Sequence, residues 1–203
     1  MTQPDPEDET AAPANRRETL LDKAGQLMAA QGYDGTSMRD IATAVGMLPG
    51  SLYYHFPSKE ALFLALHQRV VTEMEARVTA ALEGLDDPWD RLDAAAEAHL
   101  EGLMATGNLS AIVSPGFLDK RAEIGNEIRS ARRRYETIFR GLFAALQLPD
   151  GMDRDLLRLH LFGALHWVPI WYDPARGGDL RRIARQATGV LRRAAATPGA
   201  SVP

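Results

Sequence analysis

No cysteine occurs in the 203 residues, which excludes disulfides and thiolate metal sites. No run of about 18 apolar residues is present, so no transmembrane helix is expected. The N-terminus is acidic and proline-bearing and lacks an apolar h-region, so no secretory signal is expected. Catalytic signatures are missing as well: there is no Gly-x-Ser-x-Gly elbow, no phosphate loop, no thiol nucleophile and no paired carboxylates in a usable frame. The histidines His160 and His166 stand six apart, the wrong spacing for one helical face, so no metal site is expected. A basic excess is also absent. The net charge is −4, and Asp5, Glu7, Asp8 and Glu9 alone account for it. The rest of the chain balances, 23 basic against 23 acidic.

What is present is ordinary globular material, 45% apolar and 25% charged, enough for a core within one or two small domains. Residues 1–13 read as a disordered acidic leader. A first helix over about Asn15–Gln31 places Leu20, Ala24, Leu27 and Met28 on one face, with Gly32 as its terminator. Thr36 is expected to cap a second helix over about Ser37–Ala44, which buries Met38, Ile41, Ala42 and Val45. Gly46 supplies a tight turn. Pro49 suits the first turn of a third helix, Pro49–His55, with Leu52 and Phe56 inward. Ser58 then caps a long helix. Two short helices about a tight turn, the second bearing small, hydroxyl and aromatic side chains, form the pattern of a helix-turn-helix.

Over about residues 15–66, and most strongly in Gly50-Ser51-Leu52-Tyr53-Tyr54-His55-Phe56 followed by Ser58-Lys59-Glu60, the chain resembles the TetR family of transcriptional regulators. The resemblance implies an all-α fold of about nine helices. A three-helix DNA-binding domain (14–60) would precede a helical ligand-binding and dimerisation domain (61–196) and a frayed tail (197–203). It implies Gly50 and Ser51 at base edges, Tyr54, His55 and Lys59 on phosphates, and Thr36 and Arg39 on the flanking backbone or a base. Pro49 and Tyr53 complete the candidate DNA-binding set; Tyr53 either packs in the core or faces the groove. The usual pair before the glycine is a serine cap and a polar residue. Here it is Leu48-Pro49, which removes a side-chain cap and leaves open which bases are read.

Beyond residue 60 the pattern is helical throughout. Leu62, Leu66, Val70, Met74, Val78 and Leu82 recur every four residues over 59–83. Asp87-Pro88, Asp153 and Asp179 open later helices, and residues 106–118 are broken by Gly107, Pro115 and Gly116 into a short helix and loops, a pocket rim. The segment 161–174, LFGALHWVPIWYDP, is apolar nearly all round, so it packs on more than one side. Pro169 is expected to kink it. Two uses stand side by side. Leu161, Ala164, Leu165 and Val168, with Ile183, Ala187 and Val190, would meet a second subunit. Phe162, His166, Trp167 and Trp171, with Phe117, would line a ligand cavity. Arg129 and Arg133 would clamp an anion there, or belong to a solvated charged face.

Gly163–Trp167, Trp171–Pro174 and Gly177-Gly178 resemble the C-terminal domains of TetR regulators that sense acyl-CoA thioesters. The expected protein is a homodimeric, ligand-responsive regulator, a repressor of a palindromic operator in double-stranded DNA. It needs no cofactor and no membrane, and acts in the cytoplasm at the nucleoid. An activator, an architectural DNA-binding protein without ligand control and a helical enzyme are the alternatives.

Overall fold

The computed structural model describes residues 13–106, 118, 121–173, 175 and 178–196. The acidic leader, the tail from 197, and the expected rim around 106–118 with Phe117 lie essentially outside them. Among the described residues there are eight helices and no strand: α1 (Pro13–Gly35), α2 (Met38–Ala44), α3 (Pro49–His55), α4 (Lys59–Ala81), α5 (Pro88–Ala105), α6 (Ala122–Ala145), α7 (Arg154–Trp171) and α8 (Leu180–Ala196). The chain divides into two compact units, Met1–Gln68 with Ala111–Asn126, and Arg69–Ser110 with Glu127–Pro203.

In the first unit α1 buries Leu20, Leu21, Ala24 and Met28. Its helical path breaks at Gly32, where φ is +76°. The cap of α2 differs from expectation. Ser37, not Thr36, is the N-cap: its hydroxyl accepts from the Asp40 N–H (3.1 Å), and the Asp40 carboxylate accepts from the Ser37 N–H (2.9 Å). That reciprocal pair is a capping box, and it holds the Asp40 carboxyl below its ordinary range, through the Ser37 hydroxyl first. Gly46 turns the chain after α2 with φ +67°, a left-handed conformation that costs other residues about 1–2 kcal/mol. The Met47 N–H returns to the Ala42 carbonyl at 2.9 Å and closes the turn. Pro49 then starts α3 behind Leu48, which offers no side-chain cap. Leu52 and Phe56 are buried, each worth about 1.5–3 kcal/mol of apolar transfer, and they fix the roll of this short helix.

The second unit holds the later part of α4 and most of α5 to α8. Asp87 caps α5 through the N–H groups of Trp89 and Asp90, and Asp153 caps α7 through those of Asp155 and Leu156. The Asp179 carboxylate accepts from the Arg181 N–H at 2.9 Å. The core joins Leu92, Leu100, Phe139, Phe143, Leu161, Leu165, Val168 and Ala184, so α5, α6, α7 and α8 share one interior. Arg192 lies over the Trp89 ring at 5.6 Å and pairs with Asp90 at 3.0 Å, tying α8 to α5. Helix α7 runs through Pro169 to Trp171. Just beyond it the Tyr172 hydroxyl donates to the Gly178 carbonyl at 2.7 Å. A Cβ on Gly178 would stand 2.6 Å from that ring, so this corner needs glycine.

Candidate nucleic-acid interface and the buried polar cluster

Helix α3 presents Pro49, Gly50, Ser51, Tyr53 and Tyr54 to solvent, with Tyr54 89% exposed. Tyr53 therefore faces outward, which closes the alternative of a core tyrosine. A groove on this side is lined by Ser51, Tyr54 and His55 together with Arg16, Thr19 and the 45–48 turn. Arg16 and Thr19, at the start of α1, were not singled out by sequence pattern, because their relation to α3 is tertiary. A Cβ on Gly50 would meet nothing within 4 Å. Glycine costs a helix about 1 kcal/mol relative to alanine, and nothing among the described residues requires it here.

Thr36 and Lys59 are placed differently from Tyr54. Thr36 is buried, and its hydroxyl donates to the Gly32 carbonyl at 2.9 Å. The Lys59 ammonium donates to the carbonyls of Tyr33 (2.9 Å) and Thr36 (2.8 Å) and lies 4.2 Å from the centre of the Tyr33 ring. Two of its three donors thus close the end of α1, where carbonyls concentrate negative charge. The Arg121 guanidinium covers Tyr33 at 4.3 Å and pairs with Asp34. The Tyr33 hydroxyl donates to Glu60 at 2.8 Å. That bond is the first cause of a lowered Glu60 carboxyl, while burial, then Glu60, raises the tyrosine. Arg39 is exposed on α2.

In the second unit the candidate ligand residues separate. Phe162 is buried among rings, 4.8 Å from Phe139 and 5.2 Å from His99. His166 stands edge-on to His99 at 5.1 Å. Its imidazole is lowered by desolvation and then by the Arg132 cation. Trp167 and Trp171 point outward instead, 63% and 53% exposed, so they line no interior cavity of their own protomer. Arg133 is exposed and Arg129 half-buried on α6. No local sequence pattern points to the centre of this cluster. His99 is 1% exposed, with its Nδ1 2.6 Å from the Tyr135 hydroxyl. Burial pushes the imidazole well down and the phenol up. The His99 Nε2 is buried with no hydrogen-bond partner, a defect of about 1–3 kcal/mol. Arg158 on α7 is also buried, donating to Asp155 at 3.1 Å and to Glu136 at 3.4 Å.

The candidate dimer residues separate as well. Leu161, Leu165 and Val168 are buried in the core of their own protomer, which removes them from a partner-facing surface. Ile183 and Ala187 are half-buried against that core, and Ala164 and Val190 are exposed. The apolar side of α7 that does face solvent is Leu156, Leu159, Trp167 and Ile170, with Gly163 between them. At i, i+3, i+7, i+11 and i+14 they form one stripe. A Cβ on Gly163 would meet nothing within 4 Å.

Comparison with known proteins gives this geometry a family. Residues 20–66 match the N-terminal domain of bacterial regulatory proteins of the tetR family, and residues 85–195 match a tetracyclin repressor-like C-terminal domain. The chain is 29% identical over 203 aligned residues to the HTH-type transcriptional repressor KstR2 of Rhodococcus jostii, covering 96% of this chain and 98% of that one. Among solved structures, AibR in complex with isovaleryl coenzyme A and operator DNA superposes with a TM-score of 0.75 at 23% identity, over 86% of this chain and 97% of that one. The ketosteroid transcriptional regulator KstR2 of Mycobacterium tuberculosis superposes with a TM-score of 0.67 at 22% identity, over 87% and 92%. With both domain profiles matched, the second across more than half its length, this chain belongs to the TetR family of DNA-binding transcriptional regulators.

Proposed function

We propose that the protein is a homodimeric repressor that leaves its operator when an acyl-CoA thioester binds the second unit. The observation that carries the DNA half is the solvent face of α3. Gly50, Ser51, Tyr53 and Tyr54 project from a helix whose roll is fixed by buried Leu52 and Phe56. A glycine that the fold does not need suits close approach to a phosphate backbone. The hydroxyls and the Arg16 and His55 groups lining the same groove suit phosphate oxygens. Arg39 and the remaining Lys59 donor extend that set.

The effector class is supported by isovaleryl coenzyme A in the AibR complex. In this chain it is supported by a cluster of aromatic rings in the second unit, on helices that also carry the exposed cations of α6. The effector must favour the conformation with poorly spaced recognition helices, since equal affinity for both conformations shifts nothing.

The test begins with DNA fragments selected from random sequence by the purified protein. Tyr54→Ala is expected to weaken binding about ten-fold or more, at the scale of about 1–3 kcal/mol for a lost phosphate or base contact. Isovaleryl-CoA or a longer acyl-CoA is expected to release the DNA, while the matching free acid does not. Undiminished binding by Tyr54→Ala would remove α3 from the interface. Release by free acids alone would replace the effector class.

A further inference from the structure

We propose that His99 is the polar anchor of the effector site, an imidazole N–H that reads the carbonyl oxygen of an acyl ligand. The inference deepens the effector reading above and rests on it. His99 sits on α5, and its ring is enclosed by Tyr135 and Phe139 of α6 and by Phe162 and His166 of α7 at centroid distances of 5.1–5.6 Å. The contact between Nδ1 and the Tyr135 hydroxyl can run in two directions. If Nδ1–H donates to the phenol oxygen, the phenol proton has no acceptor among the described residues and Nε2 is bare, so two buried groups are orphaned. If the phenol donates to Nδ1, only the Nε2–H is orphaned. The second arrangement leaves fewer buried groups unpaired and is the one the site adopts.

A buried, unpaired N–H donor remains, among rings that accept hydrogen bonds only weakly. The environment selects its partner. A carboxylate would lose its hydration here without gaining a cation in contact, whereas a neutral carbonyl oxygen on an apolar body satisfies the donor and fills the aromatic surroundings. His166, edge-on to His99, belongs to the exposed surface. Arg133 is exposed on α6, and beside it Arg132, also exposed, pairs with Glu136 at 3.0 Å. The proposed pose sets the acyl carbonyl at His99 and leaves the phosphates to the exposed guanidiniums of α6.

The test compares isovaleryl-CoA with its thioether analogue, S-(3-methylbutyl)-CoA, which lacks only the carbonyl oxygen, by titration calorimetry on the full chain. The wild type is expected to favour the thioester by ten-fold or more. The paired substitution His99→Phe with Tyr135→Phe, which removes both partners, is expected to bring that ratio near one while thioether affinity persists. Imidazole ¹⁵N spectra of the wild type, which need no variant, are expected to show His99 protonated at Nε2 and that proton moving downfield with isovaleryl-CoA. Equal affinities for the two probes, or a bare Nε2 in the free protein, would overturn the anchor and leave the effector reading standing. Failure of both probes to bind would overturn the effector reading, and the anchor with it.

Discussion

A neutral imidazole enclosed by aromatic rings carries a signature in pH. Burial, then the neighbouring His166, holds the His99 ring well below 6.5 in the folded chain. Above about pH 6.5 the ring is neutral in both folded and unfolded chains, so it adds no pH dependence. Below that value the unfolded chain takes up a proton that the buried ring refuses, and stability falls as pH falls, by up to about 1.4 kcal/mol per pH unit, until the folded-state pKa is passed. Urea unfolding at pH 7.5 and 5.5 should therefore show the wild type losing more stability than the variant with His99→Phe and Tyr135→Phe. Equal losses would mean that the ring protonates freely in the folded chain. At this scale the sequence was readable where signals were local. Leu52, Phe56 and Ser58 stand where spacing put them. Thr36 and Ser37 are adjacent residues that can both cap a helix, Ser the better of the two, and Asp40, three residues after Ser37, completes the capping box with Ser37. His99 and Tyr135 are 36 residues apart, and no spacing rule joins them.

Helix α7 shows what periodicity conveys about an element and what it leaves out. The apolar run 161–174 announced a helix with more than one buried side, but not which side met the chain's own core. Packing answers that with Leu161, Phe162, Leu165 and Val168 inward. The stripe through Leu156, Leu159, Gly163, Trp167 and Ile170 is left outward, and Val190 is exposed on α8. Large exposed apolar groups in a contiguous row mark an association surface, and an unneeded glycine among them permits close helix approach. We expect this stripe to be the dimer contact. Trp167→Glu is expected to weaken self-association at least about 100-fold, the loss typical of a buried aromatic anchor, with unchanged helical content. Sedimentation velocity across a dilution series checks this. A variant that stays dimeric would place the contact elsewhere.

Across the whole molecule charge is nearly balanced, and the DNA-binding unit has no basic surface to spare. Between residues 14 and 60 five basic side chains face five acidic ones, and Asp34, Asp40 and Glu60 are tied into Arg121, Ser37 and Tyr33. Affinity must then come from a few placed contacts, doubled by symmetry. In the proposed dimer, two α3 helices would meet half-sites about 34–36 Å apart. Arg16, Arg39 and Lys59 of each subunit give roughly six cations for phosphates, so log K should fall with log salt at a slope of about −5. Trp167→Glu, far along the chain from these residues, should lower that slope toward about −3 on the same fragment, because one subunit at a time would bind. Lys59→Ala should change the slope less than Arg39→Ala, since two Lys59 donors already serve carbonyls. Fluorescence anisotropy on one selected DNA fragment between 50 and 300 mM salt, on the order of the range where such slopes are resolved, separates these outcomes. A Trp167→Glu variant that kept the wild-type slope would show that each subunit reads DNA alone, and the two-fold basis of recognition would fall.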